Sequence, residues 1–315
     1  MTFDLITMGR VSVDLYPQQS GVPLDEVSTF ARFLGGSATN VAVAAARLGR
    51  RSAVVTGVGA DPFGRFVRRA LRGFGVDDRF VREVAHLPTP VVFCEIFPPD
   101  DFPLYFYRFP KAPDLEIGPD EVDLDRVRAA RVFWVTGTGL SRSPSREATL
   151  AALQARPPGA ITVLDLDFRR SFWSSEGAAA RQIAAVLPYV TVAVGNQEEC
   201  RVAVGESAPE AAAKALHDAG VELAVVKQGP AGVLGSRRST GERVVVPPHP
   251  VQVVNGLGAG DAFGGALVHG LLDGNDLRST LVLANAAGSY VAGQLACADA
   301  MPDLQQLQAY AAASR

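Results

Sequence analysis

The run Asn255-Gly-Leu-Gly-Ala-Gly-Asp261-Ala-Phe-Gly-Gly265 begins an apolar, helix-patterned segment that continues to Leu272. Glycine occupies five of the fifteen positions from Gly258 to Leu272, although a glycine inside a helix costs about 1 kcal/mol relative to alanine. A glycine-rich helix start lets a phosphate approach the backbone, where unpaired N–H groups and the helix dipole stabilise negative charge. The run therefore predicts a phosphate-binding helix N-terminus, and tight helix packing is the alternative explanation.

Asp261 falls in the first turn of this predicted helix, directly after Gly258, Ala259 and Gly260. A carboxylate in that position can accept the proton of a hydroxyl that attacks phosphorus, while the preceding N–H groups hold the transferring phosphoryl group. We therefore predict that Asp261 is a catalytic base and that residues 258–260 form an anion hole. The structural alternative is that Asp261 only caps the helix.

A second glycine cluster, Gly35-Gly36-Ser37-Ala38-Thr39-Asn40, leads directly into another helical pattern. The two glycines allow a ligand close to the backbone, and Asn40 offers both a donor and an acceptor in the first turn. Because no Lys or Arg accompanies the cluster, it favours a polyhydroxyl substrate over a phosphate. Asp14 follows an apolar strand and can chelate two sugar hydroxyls, although aspartate is also a common turn residue.

Short β-branched runs alternate with longer helical patterns along the chain, which predicts βα units feeding a mostly parallel sheet. We expect strands at 3–8, 52–58, 131–135, 161–165, 191–194 and 222–227, and a hairpin from 232–237 and 242–246. We expect helices at 37–48, 62–75, 144–155, 176–187 and 209–219, followed by a helical tail from residue 258 onward.

Two segments, about 13–33 and 88–113, do not fit this alternation of strand and helix patterns (the βα rhythm). Both are strand-like but interrupted by proline, glycine and acidic residues, and the second holds seven prolines, which exclude it from a central strand. We predict that they form a small β appendage at the edge of the main sheet. The expected organisation is one α/β domain over residues 1–315, because no repeat, long linker or low-complexity segment divides the chain.

Polar residues follow two further predicted strands. In Asn196-Gln-Glu-Glu199, the first and last residues match a capping box, which is a wholly structural explanation. Glu199 can instead hold the water shell of a Mg²⁺ ion on nucleotide phosphates, since Mg²⁺ usually keeps several waters. Lys227 ends the strand at 222–227, and Gly229 follows it by two residues. Because strand C-termini form the ligand-binding edge of an open α/β sheet, we expect these residues to converge there.

Composition and missing motifs exclude several classes of protein. The 30 Lys and Arg residues against 33 Asp and Glu give a formal net charge of −3, without the basic block that nucleic-acid binding needs. The three cysteines have neither disulfide nor zinc spacing. There is no Walker A sequence and no G-x-S-x-G, and the glycines at 57 and 59 form only an incomplete dinucleotide fingerprint. No signal peptide or membrane span is predicted, so we expect a cytoplasmic location and no membrane partner.

Together these motifs resemble the ribokinase-like (PfkB) family of carbohydrate kinases, over residues from about 5 to 310. The N-terminal signature of that family is matched at Gly35, Gly36 and Asn40, and the C-terminal G-A-G-D at residues 258–261. The resemblance implies an α/β fold of three layers (α/β/α), with a mostly parallel central sheet. It also implies a β-clasp lid made from the two segments that do not fit the βα rhythm.

The same resemblance implies phosphoryl transfer from ATP with Mg²⁺ to a sugar hydroxyl, and a homodimer formed through the lid. We expect nucleotide binding by Asn196, Lys227, Gly229, Gly256 and Asn285, and the resemblance implies that Asn285 contacts the adenine. One departure concerns a monovalent cation. The aspartate that usually precedes G-A-G-D is Asn255 here, which weakens the expectation that K⁺ activates.

Four segments, 9–17, 106–114, 165–169 and 172–175, resemble family members that phosphorylate a keto-sugar acid in myo-inositol breakdown. We therefore expect a substrate carboxylate bound by Arg108, Lys111 and Arg169, because arginine pairs with carboxylates through a bidentate fork. For Arg108 and Lys111 the alternative is a solvated lid edge. For the whole protein the alternatives are another sugar or sugar-acid kinase, a nicotinamide-dependent oxidoreductase, and a catalytically silent sugar sensor.

Overall fold

The computed structural model describes residues 2–313 of the chain. Its strands form one sheet of nine and one sheet of four. The strands are β1 Leu5–Met8, β2 Ser12–Pro17, β3 Phe30–Gly35, β4 Ser52–Gly59, β5 Val81–Val84, β6 Val91–Cys94, β7 Leu104–Tyr107, β8 Val132–Thr136, β9 Ile161–Asp165, β10 Val192–Asn196, β11 Leu223–Lys227, β12 Val233–Arg237 and β13 Arg243–Val246. The α-helices are α1 Ser37–Arg47, α2 Pro62–Gly73, α3 Leu124–Ala129, α4 Ser145–Gln154, α5 Glu176–Val186, α6 Gln197–Val204, α7 Pro209–Asp218, α8 Ala259–Asp273, α9 Leu277–Ala292 and α10 Leu304–Ala312.

The nine-stranded sheet has the order β13-β12-β11-β10-β9-β8-β1-β4-β5. Neighbouring strands from β11 to β5 are parallel, whereas β11, β12 and β13 pair antiparallel at one edge. All six strands expected from the sequence are present with ends within two residues, and so is the expected hairpin. The helical tail is present as three helices, α8, α9 and α10.

Helices cover both faces of this sheet, because successive strand residues face opposite sides. In β1, Leu5 packs into the core formed with α1, α2, α8, α9 and α10, whereas Ile6 packs into the core formed with α3, α4, α5, α6 and α7. In β8, Trp134 packs into the first of these cores and Phe133 packs into the second. The arrangement confirms the three-layer α/β/α architecture. None of the helices within residues 2–313 is long and apolar enough to cross a membrane.

The four-stranded sheet has the order β3-β2-β6-β7 and comes from the two segments that broke the βα rhythm. Strand β2 pairs antiparallel with β3 and parallel with β6, and β6 pairs antiparallel with β7. Pro98, Pro99 and Pro103 fall in the connection between β6 and β7, where no ladder hydrogen bond is required of them. The two segments therefore form one β appendage. Closure of this sheet as a lid stays a prediction, as does the assignment of residues 1–315 to one domain.

Candidate functional site

A cavity of about 240 Å³ lies where the carboxyl ends of the central strands meet the four-stranded sheet. Residues at the ends of β9, β10 and β11 line one side of it, and residues of β2, β6 and β7 line another. Eleven of the residues expected from the sequence line this cavity together: Asp14, Gly36, Asn40, Arg169, Asn196, Glu199, Lys227, Gly256, Gly258, Gly260 and Asp261. Ala259 lies in the same turn as the last three.

The N-terminus of α8 forms an anion cradle. Gly258 caps the helix with a φ of 81°, in the left-handed region that favours glycine, and a Cβ there would lie 2.7 Å from the Cys297 sulfur. A Cβ on Gly260 would lie 3.3 Å from Lys227 Nζ. The backbone N–H groups of residues 258–260 have no acceptor within residues 2–313. Unpaired N–H groups, a helix dipole and a lysine therefore face the same space, which is the chemistry a phosphate requires.

Asp261 projects from the first turn of α8 into the cavity. Asn40, in the first turn of α1, donates a hydrogen bond from Nδ2 to Asp261 Oδ2 at 2.8 Å. Burial raises the pKa of Asp261 to about 6, although this hydrogen bond and the charges of Arg10 and Lys227 act in the opposite direction. A carboxylate with that pKa is ionised at neutral pH and only weakly acidic, which suits a general base.

Asp14, in β2, sits opposite the glycine cluster. Its carboxylate accepts hydrogen bonds from Ser12 Oγ at 2.6 Å and from the Tyr16 hydroxyl at 2.9 Å. Burial raises the pKa of Asp14, and these two donors oppose the shift. A Cβ on Gly35 would come within 2.1 Å of the Asp14 carboxylate, so only glycine fits beside it. Gly36 has a φ of 100° and begins α1.

Two residues that the sequence reasoning missed, Arg10 and Asp167, form an ion pair beside this site. Asp167 Oδ2 lies 3.4 Å from Arg10 Nε, and Asp167 Oδ1 lies 3.1 Å from Arg169 Nη2. Asp167 also accepts hydrogen bonds from Ser37 Oγ at 2.8 Å and Thr138 Oγ1 at 3.1 Å. Burial alone would raise the pKa of Asp167, but the two guanidinium groups lower it to about 2. The available signal was position, since Asp167 follows a predicted strand by two residues.

Asp165 is a third missed residue, at the carboxyl end of β9. Burial raises its pKa to about 8, with the charge of Lys227 opposing the shift and that of Asp167 adding to it. Burial therefore disfavours the ionised form of Asp165, whereas the charges of Arg10 and Arg169 favour the ionised form of Asp167. The pKa values of two aspartates two positions apart thus shift in opposite directions, because only Asp167 has guanidinium partners.

The predicted capping box is present at the start of α6. Asn196 N–H donates to Glu199 Oε2 at 2.7 Å, and Glu199 N–H donates to Asn196 Oδ1 at 2.9 Å. Glu199 Oε1 lies 3.7 Å from Arg169 Nη1 and lines the cavity. No group of three or more His, Cys, Asp or Glu side chains within residues 2–313 is placed to hold a metal ion directly. The donor set fits a Mg²⁺ carried by phosphates and water: Glu199 Oε1 would accept hydrogen bonds from the waters of such an ion.

The structure does not bring Arg108 and Lys111 to this cavity. They line a smaller neighbouring cavity of about 80 Å³, which shares Phe106 with the first. Arg108 Nη2 lies 2.8 Å from Asp114 Oδ2 with both side chains buried, and Lys111 Nζ lies 2.8 Å from Glu116 Oε1. Both cations therefore have acidic partners close in sequence, and the expectation that they bind a substrate carboxylate stays a prediction.

Gly229, Asn285 and Asn255 also lie outside the residues that line the cavity. Asn285 Nδ2 donates to the Pro247 carbonyl at 2.9 Å, so it ties the segment after β13 to α9. Asn255 is fully buried; its Nδ2 donates to the Leu295 carbonyl at 2.7 Å, and its Oδ1 accepts from Leu257 N–H at 3.0 Å. A carboxylate could not donate the first of these bonds, so asparagine has a structural function at this position.

The chain is similar in sequence to known carbohydrate kinases. The sequence profile of the pfkB family carbohydrate kinase matches residues 2–304. A protein of Shouchella clausii (strain KSM-K16) named 5-dehydro-2-deoxygluconokinase is 34% identical over 98% of this chain and 95% of its own length. A protein of Geobacillus thermodenitrificans (strain NG80-2) with the same name is 32% identical over 98% of this chain and 92% of its own length.

Solved structures show the same fold. The structure of fructokinase with bound ATP from Xylella fastidiosa has a TM-score of 0.85 at 25% identity, covering 98% of each chain. A ribokinase II from E. coli in complex with ATP and Mg²⁺ has a TM-score of 0.87 at 22% identity, again covering 98% of each chain. The second likeness, at that identity, concerns the fold alone, which is ribokinase-like.

Proposed function

Because the chain belongs to the pfkB family of carbohydrate kinases, we propose that it transfers the γ-phosphoryl group of ATP to a primary hydroxyl of a keto-sugar acid. The substrate we propose is 5-dehydro-2-deoxygluconate, which becomes its 6-phosphate, as the names of the two relatives indicate for those proteins. We further propose that the enzyme acts in the cytoplasm, in myo-inositol catabolism. The family match leaves the nicotinamide-dependent oxidoreductase alternative without support.

The observation that carries this proposal is the position of Asp261 between the anion cradle and Asn40, one of the residues expected to bind the sugar. The N–H groups of residues 258–260 and Lys227 lie on one side, and Asn40 lies on the other, bonded to the carboxylate at 2.8 Å. A phosphoryl donor and a hydroxyl acceptor bound on these two sides would meet at Asp261. That juxtaposition is what in-line phosphoryl transfer requires.

The residues then have distinct tasks. The Asp261 carboxylate accepts the hydroxyl proton as the substrate oxygen bonds to the γ-phosphorus, and the bond from that phosphorus to the bridging oxygen breaks to release ADP. The N–H groups of residues 258–260 and Lys227 stabilise the charge on the transferring group. Asp14 and Asn40 orient the sugar hydroxyls, beside Gly35 and Gly36. Glu199 would hold the water shell of a Mg²⁺ bound with the nucleotide, and that ion would supply positive charge to neutralise the phosphates. We assign no function to K⁺.

A coupled ADP-release assay tests this function with a panel of keto-sugar acids and neutral sugars such as fructose and ribose. We expect the highest kcat/KM with a sugar acid, and a loss of about 100-fold or more in kcat for Asp261→Asn. The exposed Asp120→Asn serves as a matched control, because Asp120 lies outside the cavity. Turnover by Asp261→Asn close to that of the control would refute the assignment of the base. A preference for neutral sugars would refute the choice of substrate.

We also propose that the protein is a homodimer formed through the outer face of the four-stranded sheet. Phe106 faces the cavity, so its neighbours in β7 face away from it. Phe93 contacts Phe30 and Tyr107 edge to face, each at 5.4 Å between ring centroids. Tyr107 is 61% exposed, which leaves this aromatic face uncovered in the single chain. Tyr107→Glu should shift the mass measured by sedimentation from dimer to monomer; a wild-type monomer would refute the proposal.

A further inference from the structure

We propose that Arg10 binds the carboxylate of the sugar acid, and that it thereby determines the preference for an acid over a neutral sugar. The inference rests on the proposed function. It replaces Arg108 and Lys111, whose charges the structure places elsewhere, with a residue that the sequence did not single out.

Arg10 has free donors at the right place. Its side chain is 10% exposed and lines the cavity, two residues after the end of β1. Its single side-chain hydrogen bond within residues 2–313 runs from Nε to Asp167 Oδ2, at 3.4 Å. A guanidinium carries five N–H donors, so both Nη groups are left without a protein acceptor. Such a pair of parallel donors matches the two oxygens of a carboxylate.

The guanidinium is also held in place on two sides. Asp167, which pairs with it, is itself fixed by Ser37 and Thr138. On the other side the guanidinium carbon lies 5.8 Å from the centroid of the Phe106 ring, in β7 of the four-stranded sheet. A cation fixed by a carboxylate and covered by an aromatic ring loses little conformational freedom on binding a ligand. Arg10 is therefore preorganised.

Two other cations, Arg169 and Lys227, line the cavity and differ in their partners. Arg169 pairs with Asp167 through Nη2, and its Nη1 donates to the Phe168 carbonyl. Lys227 has no side-chain acceptor within residues 2–313, but it faces Gly260 in the anion cradle. Lys227 and the Nη groups of Arg10 therefore remain available for two anionic groups: Lys227 for phosphate and Arg10 for a second anion.

The position of Arg10 places that second anion on the sugar side. The Arg10 carbonyl accepts a hydrogen bond from Thr39 Oγ1 at 3.2 Å, and a Cβ on Gly36 would lie 2.4 Å from the same carbonyl oxygen. Arg10 therefore packs directly against the start of α1, where the sugar hydroxyls are expected. The competing explanation is that Arg10 only neutralises Asp167.

Steady-state kinetics of Arg10→Gln and Arg10→Lys separate these explanations. The substrates are the preferred sugar acid and a neutral analogue in which a hydroxymethyl group replaces its carboxylate. We expect Arg10→Gln to raise KM for the acid about 10- to 100-fold, as for two lost charge-assisted hydrogen bonds, and to change KM for the analogue less than threefold. Arg10→Lys keeps the positive charge but not the two parallel N–H donors, so its KM for the acid should lie between those of the wild type and Arg10→Gln. Arg65→Gln, an exposed arginine on α2, is the matched control.

The proposal would be overturned if Arg10→Gln raised KM equally for both substrates and Arg10→Lys had the wild-type KM for both. A lower midpoint of thermal unfolding together with a weaker Kd for ATP would identify a misfolded variant. If Arg10→Gln misfolds, the KM values of Arg10→Lys for the acid and for the neutral analogue decide between the two explanations. A wild-type enzyme that phosphorylates only neutral sugars would refute the proposed function itself. A wild-type enzyme that prefers the acid, combined with an unchanged acid KM in Arg10→Gln, would refute only the assignment of Arg10.

Discussion

Replacing Asn40 by alanine should move the acid limb of the pH–rate profile to higher pH. Burial raises the pKa of Asp261 to about 6 even though Asn40 Nδ2 donates to its carboxylate at 2.8 Å, which favours the ionised form. A hydrogen bond to a charged group contributes about 1.5–3 kcal/mol when nothing replaces it. Water entering the cavity would recover part of this, so we expect a shift of about one pKa unit, or ~1.4 kcal/mol.

The sign follows from the chemistry of a base. Asp261 must be ionised to accept a proton, so kcat/KM falls as pH decreases through its pKa, near 6 in the wild type. In Asn40→Ala the fall should begin about one unit higher. The assay is ADP release at constant ionic strength from pH 5 to 9, with coupling enzymes in excess. Asn275→Ala, an exposed asparagine after α8, should leave the profile unchanged.

Two results would contradict this reasoning. An acid limb at the same pH in Asn40→Ala and wild type would show that the hydrogen bond does not act on the base. An acid limb that persists unchanged in the residual activity of Asp261→Asn would show that another group titrates there. A higher KM for the sugar in Asn40→Ala is expected in addition, and it does not affect the position of the limb.

Three further predictions concern the groups around the base. Gly35→Ala places a Cβ about 2.1 Å from the Asp14 carboxylate, so KM for the sugar should rise at least about tenfold in the ADP-release assay; an unchanged KM would contradict the close packing. Asp167→Asn removes the one carboxylate that pairs with Arg10 within residues 2–313, and one of the two that pair with Arg169, so it should lower Tm by about 5 °C at pH 7. The folded-state pKa of Asp167 is about 2, below that of a free aspartate, so its contribution to the stability of the folded state is lost as pH falls towards 2. Calorimetry should therefore find a smaller difference in Tm between wild type and Asp167→Asn at pH 3 than at pH 7. Burial raises the pKa of Asp165 to about 8, so the wild type loses stability as pH rises towards 8, and the Tm advantage of Asp165→Asn should grow over that range; a constant difference would contradict the shift.

The sequence predicts those parts of the site that depend on local patterns. Strand ends follow from short apolar runs, and the glycine-rich starts of α1 and α8 place Asn40 and Asp261 in first turns. The capping box at Asn196 and Glu199 is a property of four consecutive residues. Because carboxyl ends of parallel strands share one edge, these local features were enough to predict that the residues meet.

The remaining features depend on contacts between distant residues. The pair of Arg10 and Asp167 joins positions 157 residues apart, and no local motif marks either of them. The pKa values of Asp165 and Asp167 shift in opposite directions because their partners differ, which the sequence does not show. Arg108 is a related case: the resemblance of the segment 106–114 favoured a substrate role, which stays a prediction, and the sequence did not show that Asp114, six residues away, pairs with it.

Product analysis by ³¹P NMR tests the central claim most directly. The wild-type protein is incubated with ATP, Mg²⁺ and 5-dehydro-2-deoxygluconate, and the phosphorus resonances are followed to completion. We expect ADP and one new phosphomonoester in equal amounts, the latter coupled to two methylene protons because the primary hydroxyl is phosphorylated. Release of inorganic phosphate without a new ester, or an ester coupled to a single proton, would contradict the account.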